Sequence, residues 1–227
     1  IVSRHVSMFS NVLNVLRVQP RYLLSCGGDS FIRMWDLFTG KLVLEMDDDY
    51  YLESIVAVST NWETMQAYII SRSTKLSLWD LATGECVDDS YMCDDEDLTT
   101  AEINWKADGC QVVGGFRDGR LRLLEDHGAL VSESLCKVLD AFEDDGGVVC
   151  IAVDWEMMTV LSSSQTRLIL LNLRTGREVR GFAGHLGAVA CLRVDSASQR
   201  FLSASCDGSV MLWDIASGTC LETYHMD

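Results

Sequence analysis

The side chains able to do chemistry are few and poorly arranged for it. Four histidines occur, at positions 5, 127, 185 and 225, and no two share a metal-ligand spacing. Nine cysteines are scattered without a single C-x-x-C, so the usual zinc and redox spacings are absent. The phosphate-cradling G-x-x-x-x-G-K, the dinucleotide G-x-G-x-x-G, the zinc-protease H-E-x-x-H and the G-x-S-x-G nucleophile turn are all missing. The stretch Gly114 to Gly119 is glycine-rich, but its Asp118-Gly119 matches Asp207-Gly208 and reads as a tight turn between strands. Aspartates are abundant, yet the D-x-D-x-D-G order of a calcium loop does not occur. Nothing singles out one Cys–His pair as a nucleophile and its base. The expectation is a non-catalytic chain with no metal and no cofactor.

What the polar residues do instead is recur. Four segments read IRMWDLFTG (Ile32 to Gly40), LSLWDLATG (Leu76 to Gly84), LILLNLRTG (Leu168 to Gly176) and VMLWDIASG (Val210 to Gly218), and a degenerate fifth reads LRLLEDHG (Leu121 to Gly128). The closing glycines are 44, 44, 48 and 42 residues apart, which defines an internal repeat. Each copy has one grammar, clearest in the last. Val189, Cys191 and Val194 suggest a first strand, Phe201 to Ser205 a second, Val210 to Trp213 a third and Cys220 to Tyr224 a fourth. Polar or Gly-containing turns separate them, the pattern of short antiparallel strands. No segment has sustained helical periodicity.

On Trp-Asp, Thr/Ser-Gly and Asp-Gly at this period, the sequence resembles the WD-repeat family over essentially its whole length. The resemblance implies an all-β fold, a β-propeller of four-stranded antiparallel blades. It also implies that His185, Ser203, Asp207 and Trp213 form a buried hydrogen-bond chain with a structural role. The other copies depart from that set. The first keeps Ser25, Asp29 and Trp35 without a His, and the second keeps Ser71 and Trp79 with Ser73 in place of Asp. The third has Asp118 but Leu124 for Trp, and the fourth has Gln165 and Leu171. These two blades are expected to lean on apolar packing. Trp62, Trp105 and Trp155 form a second series, read as packing residues in the turn after the first strand.

Residues 1–227 are expected to form one propeller domain or part of one, with five complete blades at about 10–46, 53–89, 98–133, 147–182 and 188–224. Ile1 to Val6 reads as an additional fourth strand without companions. Seven blades are the norm of the family that the chain resembles. An open arc would leave sheet edges exposed, so a fragment of a larger, seven-bladed propeller is expected; a five-bladed ring, or an arc completed by another chain, is the rival. The start, Ile-Val-Ser-Arg-His, has neither an initiator Met nor a secretory pattern, and fits a processed product or a piece of something longer.

At 48% hydrophobic and 23% charged the composition is that of a globular protein. The longest apolar run is about Val148 to Val153, far short of the roughly 18 residues of a membrane helix. Cysteines without a disulfide pattern suggest a reducing compartment, hence the cytoplasm or nucleus. Cys86 with Cys220, and Cys150 with Cys191, occupy equivalent places and read as small apolar packing residues.

The net charge of −16 argues against general binding of nucleic acid. Its origin is local. Asp47, Asp48, Asp49 and Glu53 form one cluster, Asp88, Asp89, Asp94, Asp95, Glu96 and Asp97 a second, and Asp140, Glu143, Asp144 and Asp145 a third. No Lys or Arg interrupts these 14 acids, and without them 20 acids face 18 bases. All three read as connections between the fourth strand of one blade and the first of the next, which share one face of a propeller. They form either a recognition face for cations, its partner-binding residues Asp47, Asp48, Asp49, Asp94, Asp95, Glu96, Asp97, Asp144 and Asp145, or solvated loops that keep the chain soluble.

Two functions follow. One is an interaction scaffold that presents loop faces to protein partners in a multi-subunit complex. The other is a peptide reader or substrate receptor that binds Lys- or Arg-rich segments on the acidic face, helped by Tyr50, Tyr51 and Tyr91 beside the acids.

Overall fold

The structure, a computed structural model, describes residues 4–5, 15–18, 21–26, 31–46, 55–91, 97–107, 109–126, 135–141, 146–165 and 167–226. Among these residues every regular element is a strand, and no helix is long and apolar enough to cross a membrane. The all-β, antiparallel expectation holds.

The strands form five sheets, and in each the spatial order is the chain order. The first holds β1 (Arg4–His5), β2 (Val15–Val18), β3 (Tyr22–Cys26), β4 (Ile32–Asp36) and β5 (Leu42–Met46). The second holds β6 (Ile55–Asn61), β7 (Gln66–Ser71), β8 (Lys75–Asp80) and β9 (Cys86–Tyr91). The third holds β10 (Leu98–Lys106), β11 (Gly109–Phe116), β12 (Arg120–Asp126) and β13 (Leu135–Asp140). The fourth holds β14 (Cys150–Asp154), β15 (Thr159–Ser163), β16 (Leu168–Asn172) and β17 (Glu178–Phe182). The fifth holds β18 (Val189–Asp195), β19 (Arg200–Ser205), β20 (Ser209–Asp214) and β21 (Cys220–His225). Four sequential antiparallel strands per repeat is the architecture of propeller blades. One strand departs from expectation. Arg4–His5 is not a companionless fourth strand; it pairs antiparallel with β2, Arg4 opposite Leu16.

The turn after each third strand explains why its sequence recurs. Asp36, Asp80, Asn172 and Asp214 end β4, β8, β16 and β20, and each Oδ1 accepts backbone N–H groups two or three residues on, at 2.7 to 3.2 Å. A side chain that mimics a backbone turn in this way favours Asp or Asn. The chain then closes through glycine at positive φ: Gly40 at 66°, Gly84 at 80°, Gly176 at 74° and Gly218 at 76°. Other residues adopt that region at a cost. Asn172 supplies the same acceptor as Asp, so the turn survives in the repeat that lost its Trp.

By contacts the chain divides into two compact units, residues 1–111 with 125–134, and residues 112–124 with 135–227. In the first, Leu24, Ile32, Met46, Ile55, Ile69, Trp79 and Leu81 are part of one buried cluster. Trp62 stacks on Tyr22 at a centroid distance of 6.4 Å. Trp105 lies 4.6 Å from Tyr68 and donates its indole N–H to Ser59 Oγ at 3.1 Å. Trp105 is thus a packing residue as expected, although it belongs to β10 and not to the turn after it. In the second unit, Val113, Leu121, Val160, Ile169 and Leu173 belong to one cluster, with Trp155 and Met158 packed against it. Phe182, Val189, Leu192, Phe201 and Trp213 belong to another. Each fully buried side chain of this size contributes about 1.5–3 kcal/mol.

The cysteines divide in a way the packing reading missed. Cys26 and Cys110 are buried, Cys150 and Cys191 half-buried, and Cys86 and Cys220 exposed. The last two do hold one place, opposite Trp79 and Trp213 in the ladders, but on the outer strand they face solvent.

Candidate functional site

In the last sheet the four residues singled out by sequence are brought together. Trp213 Nε1 donates to Ser203 Oγ at 2.8 Å, and Ser203 Oγ lies 2.7 Å from His185 Nε2. His185 Nδ1 lies 3.1 Å from Asp207 Oδ2 and 3.0 Å from Ser209 Oγ. The carboxylate only accepts, so Nδ1 carries a hydrogen, and with the ring in that tautomer Nε2 accepts from the Ser203 hydroxyl. Every polar atom of the chain is used. Asp207 Oδ2 also accepts the Leu186 N–H at 2.8 Å, and Oδ1 accepts the Ser209 N–H at 2.8 Å and the Ser209 hydroxyl at 2.5 Å. The segment before β18 is thereby tied to the turn before β20. Gly187 permits that approach, since a Cβ there would sit 2.9 Å from the Asp207 nitrogen.

These bonds hold the Asp207 carboxyl well below the usual carboxylate range, the Ser209 hydroxyl first, then the backbone N–H groups of Leu186 and Ser209 and the His185 ring, against a contrary effect of burial. A depressed folded pKa makes the contribution whole above the unfolded value of about 3.9 and lost as the pH falls through the folded one. Thermal melts between pH 5 and pH 2 are therefore expected to show a shallower acid decline for Asp207→Asn than for the parent chain. Parallel declines would remove this carboxylate from the acid limb.

The ladders show how the other repeats depart. Trp35, Trp79, Leu171 and Trp213 face Leu23, Ala67, Val160 and Phe201. Two residues further along the second strand stand Ser25, Ile69, Ser162 and Ser203. In the first repeat Trp35 Nε1 donates to Ser25 Oγ at 2.8 Å, as sequence suggested, while Asp29 lies outside the described residues. In the second, Ser71 does not serve Trp79. Its hydroxyl pairs with Ser73 at 2.8 Å, and Trp79 Nε1 donates at 2.9 Å to Ser77, the cross-strand neighbour of Ile69. The hydroxyl has moved one strand over, a change that the spacing Ser77-x-Trp79 could have revealed.

In the third repeat the chain is replaced outright. Arg122, two residues before Leu124, is buried, with its guanidinium carbon 4.0 Å from the Phe116 ring centroid. Its Nη2 donates to Asp118 Oδ2 at 3.1 Å. A heavier reliance on apolar packing was expected here, and the place of the hydrogen-bond chain is taken by an ion pair with a cation–π contact. The fourth repeat keeps a serine, Ser162, without the indole that would donate to it. Its buried hydroxyl has no partner among the described residues. An orphaned buried hydroxyl costs about 1–3 kcal/mol. Ser162→Ala is therefore expected to raise stability by about 1 kcal/mol in urea unfolding. A loss of similar size would show that the hydroxyl is satisfied.

Of the acidic residues singled out for binding, Asp47, Asp48, Asp49, Asp94, Asp95, Glu96, Asp144 and Asp145 lie outside the described residues, as do Tyr50 and Tyr51. Asp97 is described, exposed and at φ 81° immediately before β10. Three acids do not lie in connections as expected. Asp88 and Asp89 belong to β9, where Asp89 Oδ2 meets Lys75 Nζ at 3.0 Å, and Asp140 ends β13. Tyr91 also belongs to β9 and is exposed.

A family model described as "WD domain, G-beta repeat" matches residues 176–214, the segment that contains His185, Ser203, Asp207 and Trp213. The resemblance to the WD-repeat family holds. The chain is 27% identical over 169 residues, 74% of its length, to "APC/C activator protein CDC20" of Saccharomyces cerevisiae. It is 26% identical over 199 residues, 85% of its length, to "WD repeat-containing protein 81" of Danio rerio. A shorter stretch of 50 residues, 22% of the chain, is 42% identical to "Set1 complex component swd2" of Schizosaccharomyces pombe. The matched stretches cover only 25%, 9% and 14% of these three relatives.

Proposed function

We propose that the chain is a non-catalytic scaffold that holds protein partners on the turns and outer strands of its WD-repeat sheets. The observation that carries this is the state of the polar residues in the last repeat. Both nitrogens of His185, both oxygens of Asp207 and the Ser203 hydroxyl are consumed by mutual bonds, so the best-formed polar cluster is structural. Two relatives whose names mention an activator and a complex component support the same reading. The setting is the cytoplasm or nucleus. Affinity capture with the tagged chain should recover partners in fixed ratio that survive 0.5 M salt. A folded chain that recovers none would sink the reading.

A second reading, capture of Lys- or Arg-rich segments by an acidic face, is favoured by 14 acids uninterrupted by a base in three segments. Charge attraction of this kind is screened within about 10 Å at 0.1 M salt. Replacing Asp94, Asp95, Glu96 and Asp97 by their amides should weaken binding of a basic peptide about tenfold or more at low salt and little near 0.5 M, read by fluorescence polarisation. The matching control changes Glu63, Glu85, Glu156 and Glu178, which are exposed and cap no third-strand turn. Equal losses in both variants would leave net charge, not a site, as the cause.

A further inference from the structure

The turn between first and second strands is filled differently in the last repeat. Trp62 and Trp155 directly follow Asn61 and Asp154, the last residues of β6 and β14. Met65 and Met158 come three residues later, both at φ 52°. Both Trp–Met pairs pack against buried clusters. In the last repeat Asp195 ends β18, and the two places are Ser196 and Gln199, the latter at φ 53°. Backbone geometry is kept and the apolar plug is gone.

A cavity of about 170 Å³ lies where that plug would sit. Ala152, Leu161, Leu170 and Thr159 line it from the fourth sheet, and Val194, Gln199 and Ile215 from the fifth. Three of these fourth-sheet positions, Ala152, Leu161 and Thr159, are the counterparts of residues that hold a tryptophan elsewhere. Ala152 faces Leu161 in the ladder, two pairs before the turn, as Ser59 faces Tyr68. Ser59 and Tyr68 are the hydrogen-bond and ring partners of Trp105. Thr159 is the counterpart of Tyr22, which stacks on Trp62, since both face the residue that ends the third strand. At 170 Å³ the cavity is smaller than the roughly 300–1,000 Å³ of small-molecule sites and suits one large side chain. Its one charged lining residue is Asp154, whose Oδ1 accepts the Glu156 and Met157 N–H groups at 3.1 and 3.0 Å. Burial opposes ionisation there, but hydrogen bonds from the Ser196 side chain and the Met157 and Glu156 backbone outweigh it and lower the pKa. A carboxylate offers about four acceptor sites; with three taken by Ser196, Glu156 and Met157, one remains for an N–H donor on an apolar body.

We propose that this cavity receives a tryptophan side chain from a protein partner, its ring against Leu161 and Leu170 and its indole N–H directed to the Asp154 carboxylate. The inference rests on the scaffold reading and names the residue by which a partner docks. A buried aromatic anchor of this kind is the usual energetic centre of an interface. Met157, exposed beside the cavity, extends the apolar contact to the residues flanking the anchor.

The probe is N-acetyl-L-tryptophanamide, titrated into the full chain and read by methyl NMR. Saturable shifts at Leu161, Leu170, Val194 and Ile215 in the millimolar range are expected. Ser196→Trp, on an exposed turn, should fill the cavity from within and weaken the probe at least about tenfold. Gln199→Met restores the other half of the plug and should weaken it in the same direction. Asp154→Asn removes the charge while keeping the turn, which Asn61 forms in the second sheet through the Glu63 and Thr64 N–H groups. It should weaken the probe about tenfold, as for a bond to a charged acceptor. N-acetyl-L-phenylalaninamide, which lacks the indole N–H, should bind more weakly. The proposal is overturned if no cavity methyl shifts, if both filling variants bind as the parent does, or if the phenylalanine amide binds equally well. Failure of the probe with partner capture intact removes this inference alone. Loss of partner capture with probe binding intact removes the scaffold reading, and with it the partner as the source of the tryptophan, while the cavity stands as an indole site.

Discussion

Trp213→Ala is expected to cost about 3–5 kcal/mol, the largest single loss within the last repeat. The side chain is 1% exposed, stacks on Phe201 at 5.9 Å and meets Phe182 edge-on at 5.8 Å. Its removal opens a cavity that neither phenylalanine can collapse into, because Phe201 and Phe182 are each held in a ladder. Ser203 also loses its donor, which leaves a lone pair of its buried hydroxyl oxygen unpaired beside His185. Trp213→Phe separates the two effects, since it keeps most of the packing and removes the N–H. It should cost about 1–3 kcal/mol. Trp62→Phe, by contrast, loses stacking on Tyr22 in a half-buried setting. Urea midpoints for the two Phe variants are the measurement, and equal shifts would mean that the indole bond at Trp213 contributes nothing.

Asp118→Ala is expected to destabilise the chain by about 3 kcal/mol, out of proportion to an exposed residue on a turn. The reason lies with its partner. The Arg122 side chain is 4% exposed, and a guanidinium cannot shed its charge. Taking away the carboxylate leaves that charge buried over the Phe116 ring with less to compensate it. Asp118 further accepts the Arg120 N–H at 2.9 Å, so the turn is loosened as well. Arg122→Met, which removes the charge and keeps much of the volume, should be milder, and the double variant milder than Asp118→Ala alone. A double variant worse than Asp118→Ala would show that Arg122 stabilises the repeat without its carboxylate, through its contact with Phe116.

The repeat was legible because its signals are local. Asp36, Asp80, Asn172 and Asp214 bond to N–H groups two and three residues on, so a turn that depends only on its own residues prints itself in the sequence. The His185 to Trp213 chain was legible because the last repeat retains every member at family spacing. The partner of Trp79 went unread because Ser71 and Ser77 are both serine, and the ladder shows that Ser77, two residues before the indole on its own strand, is the one that meets it. Arg122 was hidden for a different reason. An arginine between leucines in an alternating strand looks solvent-facing, and nothing local reveals that it lies over Phe116. The fourth-strand placement of Asp88 and Asp89 was missed because a run of acids reads as a loop, while exposed outer-strand positions tolerate charge as readily.

In every sheet each strand of the repeat pairs only with its neighbours in the chain. Each contact within a sheet therefore closes a hairpin, with little loop entropy lost before the first bonds form. A hairpin takes on the order of 1–10 μs to form, and sheets built from consecutive hairpins need no distant segment to arrive first. Folding can start in whichever repeat is locally best satisfied and spread from sheet to sheet, as in other repeat proteins. The last repeat, with its complete hydrogen-bond chain, is the natural starting point, and the fourth, with Ser162 unpartnered, the natural place for that spread to pause.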